Sequence, residues 1–109
     1  MPNVREYVDE RGRSPFGRWF DALDSRAAAR VRTALARMEA GNMSNVRGVG
    51  GGVLEYRINV GPGYRVYFGR DGETMIVLLG GGTKARQQRD IEDARELWRE
   101  YRRRKQQEV

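Results

Sequence analysis

Two side chains on which much protein chemistry depends are missing: the 109 residues contain neither cysteine nor histidine. The first absence excludes disulfides, iron–sulfur clusters and thiol nucleophiles, and the second removes zinc sites and imidazole acid–base catalysis. Long apolar runs are lacking too. No stretch approaches the roughly 20 residues needed to span a bilayer, and Met1 to Arg13 lacks the apolar core of a signal peptide. A cytoplasmic protein without membrane contact is expected. Lysine is scarce, with only Lys84 and Lys105, so 19 of the 21 basic residues are arginine. Against 15 acids this leaves a net charge of +6. Because the arginine fork binds phosphate bidentately and stacks on bases, the excess favours a nucleic-acid partner.

A chain of this length is expected to form one domain, residues 1–109, with a basic tail from about residue 102. Val4 to Val8 has the character of a short strand, and Ser14-Pro15 reads as cap and first residue of a helix carrying Phe16, Trp19, Phe20 and Leu23 on one face. Asp24 can cap a second helix, with Ala28, Val31, Leu35 and Met38 inward and Gly41-Asn42 as its stop. Its outer face carries Arg26, Arg30 and Arg37, a binding stripe or simply solvated charge. Val46 to Val49 reads as an edge strand.

From Val53 to Val60, Leu54, Tyr56, Ile58 and Val60 alternate with Glu55, Arg57 and Asn59. After the turn at Gly61-Pro62-Gly63, Tyr64, Val66 and Phe68 alternate with Arg65 and Tyr67. One face is therefore expected to pack, and the reverse to present Arg57, Arg65 and Tyr67 as an open cationic sheet face. Arg70-Asp71-Gly72 reads as a second hairpin turn. The unbroken apolar run Met75 to Leu79 predicts a central strand covered on both sides, which Gly80-Gly81-Gly82 would end tightly, placing Lys84 and Arg86 beside the basic face. Ile91, Ala94, Leu97, Trp98 and Tyr101 then predict an amphipathic helix from about Gln87, fraying at Arg102-Arg103-Arg104-Lys105.

The glycine run before Lys84 lacks the GxxxxGK[ST] spacing of a nucleotide-binding loop. Glu55 is expected to pair with Arg57, and Asp90, Glu92 and Asp93 to complement the dipole of the last helix. Neither a metal nor a cofactor is expected. Phosphodiester cleavage without them is feasible on RNA, whose 2′-hydroxyl supplies the nucleophile and leaves the protein to orient, to move protons and to stabilise charge. Arg57, Arg65 and Lys84 are the candidate cations for that task, and Tyr67 the candidate to stack on a base or shuttle a proton. Asn59, Arg70, Arg86 and Arg89 are expected to contact RNA around them.

The succession Gly12-Arg13-Ser14-Pro15-Phe16, Trp19, Leu23-Asp24, Gly41-Asn42, Glu55-Tyr56-Arg57-Ile58, Gly61-Pro62-Gly63-Tyr64-Arg65-Val66-Tyr67-Phe68, Leu78-Leu79-Gly80-Gly81, Lys84, Gln88 and Asp90-Ile91 resembles the RelE/ParE toxin superfamily, HigB-like "addiction module killer" proteins above all. The resemblance implies an α+β fold: a small antiparallel sheet, two N-terminal helices packed on it and a C-terminal helix. It also implies the toxin of a type II toxin–antitoxin pair, neutralised by a cognate antitoxin that is often a small helix-turn-helix protein. Characterised RelE and HigB relatives cut messenger RNA on the ribosome without a metal. By that likeness Arg65 corresponds to the phosphate-contacting arginine of the hairpin, Arg57 to the basic residue of the preceding strand, and Lys84 or Arg86 to the basic group after the last strand. RelE itself has a lysine pair before the hairpin and a tyrosine early in the last helix, where this chain has Arg57 with Asn59 and then Gln87, Gln88 and Arg89. The ParE branch poisons DNA gyrase on the same fold, so a gyrase-directed toxin is one alternative, and a non-catalytic basic module that binds nucleic acid or protein is the other.

Overall fold

The computed structural model describes residues 3–108; residues 1, 2 and 109, which the expected domain span and basic tail include, lie outside the described residues. The order of elements is β1 (Asn3–Glu6), α1 (Pro15–Asp21), α2 (Ser25–Glu39), β2 (Val46–Gly50), β3 (Val53–Ile58), β4 (Tyr64–Asp71), β5 (Met75–Gly82), a 3-10 turn (Lys84–Arg86) and α3 (Gln87–Gln107). Both N-terminal helices start where their caps predict. The Ser14 hydroxyl accepts from the Gly17 amide at 2.9 Å with Pro15 in the first turn, and the Asp24 carboxylate accepts from the Ala27 amide at 2.8 Å.

The sheet runs β1-β5-β4-β3-β2. All neighbours are antiparallel except β1, which pairs in parallel with β5 from Asn3 opposite Met75 to Glu6 opposite Leu78. The fold is α+β as expected, but β4 and not β5 occupies the middle. β5 is nevertheless covered on both sides, which is what its apolar run demands. On one side α1 and α2 pack Phe16, Val31, Ala34 and Met38 against Tyr56, Val66, Phe68, Ile76 and Leu78. Val60, expected on this face, falls beyond the end of β3 and is exposed.

The other side corrects the expected open cationic face. There α3 lies across the sheet and buries Ile91, Ala94 and Trp98 against Tyr7, Val53, Tyr67, Val77 and Leu79. The physical reason is the apolar stripe of α3, which needs a partner once the first sheet face is filled. Two glycines let the helices come close. A Cβ on Gly69 would collide with the Trp98 ring, and one on Gly81 with the Trp19 ring. The run Gly80-Gly81-Gly82 forms the last three residues of β5, paired with β4, with Gly81 as the seat of Trp19.

The tail departs from expectation as well, since α3 stays helical to Gln107. Arg104 donates to the Val8 carbonyl at 3.2 Å and stands over the Tyr7 ring at 5.7 Å. Lys105 pairs with Asp71 at 3.1 Å, and the Tyr101 hydroxyl donates to the same carboxylate. These tertiary contacts hold the last turns after apolar periodicity ends. Two substitutions test the double-sided core by urea unfolding. Trp98→Ala should cost about 3–5 kcal/mol, and Gly81→Ala, by displacing Trp19, about 1–3 kcal/mol.

Candidate functional site

Strand pairing brings the candidate residues into two adjoining rows on the α3 side of the sheet. Arg57 of β3 lies opposite Arg65 of β4, which lies opposite Gly82 of β5; in the next row Glu55 faces Tyr67, which faces Gly80. Two arginines side by side repel. Their partner across the row is Glu55, a carboxylate with no solvent exposure that accepts from Arg47 of β2 at 2.9 Å and from the Gln87 amide of α3 at 3.0 Å. The Arg65 guanidinium approaches it at 3.7 Å. This corrects the expected Glu55–Arg57 pair. Glu55 turns inward to Arg47, Arg65 and Gln87, and Arg57 stays exposed. Burial on its own would raise the Glu55 carboxyl, but the hydrogen bonds from Arg47 and Gln87 and the Arg47 charge outweigh it and hold the pKa below the ordinary value.

Arg65 is 6% exposed and donates to the Gly63 carbonyl, so it braces the hairpin turn from inside. Tyr67 is fully buried, and its hydroxyl, like the Arg65 Nε, has no hydrogen-bond partner among the described residues. Burial, reinforced by the Glu55 charge, raises the Tyr67 phenol far above its ordinary range. Such a group holds its proton and cannot stack on a base from beneath α3. Arg65 and Tyr67 thus form the floor of the site instead of the open surface that strand alternation predicts.

The groups that reach solvent here are Arg57, Asn59, Lys84, Arg86 and Arg89. Lys84 is placed by its amide, which donates to the Pro62 carbonyl at 3.3 Å and ties the 3-10 turn to the hairpin. Arg57 and Asn59 also border a 240 Å³ groove shared with Arg30, Arg37 and Asn45. Arg70 does not join them. It lies at the far end of β4, five residues from Arg65 and so roughly 17 Å along the strand. Asp90 is the residue that sequence reasoning passed over. Its carboxylate occupies the space above Gly82, and burial raises its pKa although it stands in the first turn of α3. Only the missing side chain at Gly82 signals that position in the sequence. Among the described residues, no group of three or more acidic, cysteine or histidine side chains could hold a metal ion, and no helix is long and apolar enough to cross a membrane.

The pH dependence of stability follows from Glu55. Its folded pKa is depressed, so the network stabilises fully above the ordinary carboxyl value of 4.5 and loses that contribution as pH falls through the folded value. Glu55→Gln should flatten the acid limb of a stability–pH curve measured by urea unfolding. Arg65→Ala should lower stability by about 1–3 kcal/mol at pH 7, because it takes one of two neighbouring cations from a buried carboxylate.

Residues 18–101 match the family model described as phage derived protein Gp49-like (DUF891). An uncharacterized protein of Haemophilus influenzae (strain Rd) is 36% identical over 86 residues, covering 78% of this chain and 87% of that protein.

Proposed function

Since the chain belongs to the Gp49-like family, a RelE/HigB-like toxin–antitoxin family, we propose that it is a toxin that cuts translated messenger RNA on the ribosome. The observation that carries this reading is the end of the sheet where Arg57 and Lys84 are exposed around a half-buried Asp90, above a floor fixed by Arg65 and Glu55. Attack of a 2′-hydroxyl on the adjacent phosphorus loses the hydroxyl proton, expels the 5′-oxygen of the next nucleotide as its protonated hydroxyl and leaves a 2′,3′-cyclic phosphate, with negative charge building on the phosphoryl oxygens on the way. Arg57 and Lys84, on a floor made cationic by Arg65, stabilise that charge. A chain without histidine needs another group for proton transfer, and a carboxylate whose pKa is raised by burial is a better base than an ordinary one. Asp90 takes that role. Asn59, Arg86 and Arg89 hold the strand on either side, and the ribosome supplies the message in a fixed geometry. A cognate antitoxin, a small helix-turn-helix protein encoded alongside, silences the toxin by covering this end or blocking its docking.

Expression without an antitoxin should arrest growth and generate new message 5′ ends at A-site codons. Lys84→Ala and Arg57→Ala should each lower the cleavage rate on the order of a hundredfold with the circular dichroism spectrum unchanged, because both side chains are exposed. In a reconstituted translation assay the rate should fall on acidification as Asp90 takes up a proton, and Asp90→Asn should remove that limb. Unchanged 5′ ends combined with collapse of DNA supercoiling would replace this reading with a gyrase-directed toxin.

A further inference from the structure

Three of the seven cations of α3 share one flank of the helix. Arg95, Arg99 and Arg102 fall on one flank, within about 10 Å of helix axis, whereas Glu92, Glu96, Glu100 and Asp93 occupy the neighbouring flank. All three arginines are exposed, and none forms an ion pair among the described residues, although Glu92 stands three residues before Arg95 and Glu96 three before Arg99. The flank borders the β2–β3 turn, where Gly50, Gly51 and Gly52 all have positive φ, and with Gly51 it lines a 480 Å³ groove. On the other side of Arg102 a second groove of 450 Å³ continues past Gly50 and Gly52 to Arg70. The missing side chains at the turn let it pack under the helix: Arg95 lies over Gly50 and Gly51, and the Trp98 ring lies over Gly52 with Arg102 beside it.

The contacts of the final turns give these arginines a fixed platform. Lys105 and Tyr101 hold Asp71, and Arg104 holds the Val8 carbonyl, so the helix carrying Arg102 is anchored to β4 and to the segment after β1. Cations displayed on a fixed backbone lose less freedom on binding than a frayed tail would. Exposed guanidinium forks without an acidic partner, lining a groove together, suit a run of phosphates.

We propose that the Arg95–Arg99–Arg102 flank, with Gly50–Gly52 and Arg70, is a second RNA-binding surface that grips the phosphate backbone of folded RNA without reading its sequence. It lies at the opposite end of β4 from the candidate site, with Arg70 where that site has Arg65. The choice of RNA over DNA rests on the ribosome-dependent reading above.

The test is fluorescence anisotropy on a stem-loop RNA of about 16 base pairs, titrated with the full chain at several salt concentrations between ~50 and 200 mM. The triple variant Arg95→Gln/Arg99→Gln/Arg102→Gln should reduce the slope of log affinity against log salt by about 2–3, equally for stems of unrelated sequence. The control Arg11→Gln/Arg18→Gln/Arg26→Gln removes the same charge from exposed positions outside these grooves and should leave most of the slope intact. If the triple variant does not fold by circular dichroism, the three single variants carry the test, each lowering the slope by about 1. An unchanged slope, an equal loss in both triple variants, or tighter binding to a DNA duplex of the same sequence overturns the proposal. No ribosome is present in this assay. A chain that binds the stem through α3 but cuts no message therefore fails the nuclease reading and keeps this one.

Discussion

Glu55 is a carboxylate with no exposure to water, and a charge so placed must be neutralised by the groups around it. Its partners come from three other elements: Arg47 from β2, Arg65 from β4 and Gln87 from α3. One oxygen pair therefore sets the register of the sheet's edge, the direction of the hairpin arginine and the docking of the helix start. The exposed groups inherit their positions from that arrangement. Lys84 stands two residues after the end of β5 and three before Gln87, so it is held between the strand and the helix that Glu55 clamps.

Much of the fold was legible because local signals agreed with one another. Ser14-Pro15 and Asp24 mark helix starts by chemistry that acts within four residues, and the alternation through Tyr56 and Val66 selects the face that meets α2. What alternation could not reveal is what covers the reverse face. Arg65 and Tyr67 read as exposed because they are polar-tipped and out of phase with the apolar set, yet Ile91, Ala94 and Trp98, far along the chain, close over them. The clue was distributed: an apolar β5 needing two covers and a final helix with an aromatic inner face imply each other only when placed together.

The candidate site was legible in its residue types more than in their roles. Arg57 and Lys84 reach solvent as expected, whereas Arg65 acts through the floor and Arg70 belongs to another region. Asp90 was hidden by a sound local argument, since acids belong at helix starts. Its raised pKa comes from the sheet beneath it, and that information is in Gly82 and not in α3.

The parallel pairing of β1 with β5 joins Asn3 to Met75, and Arg104 reaches Tyr7 across 97 positions. Closing loops of that length is entropically costly, and contacts this distant slow folding relative to a helical hairpin or a β-meander. During synthesis α1, α2 and β2 to β4 emerge first, while β1 has no strand to join and the α3 face of the sheet has no cover. Tyr67 and Val53 stay wet until the last fifth of the chain arrives. Until α3 docks, the sheet presents an uncovered apolar face, and that interval is the aggregation-prone part of folding.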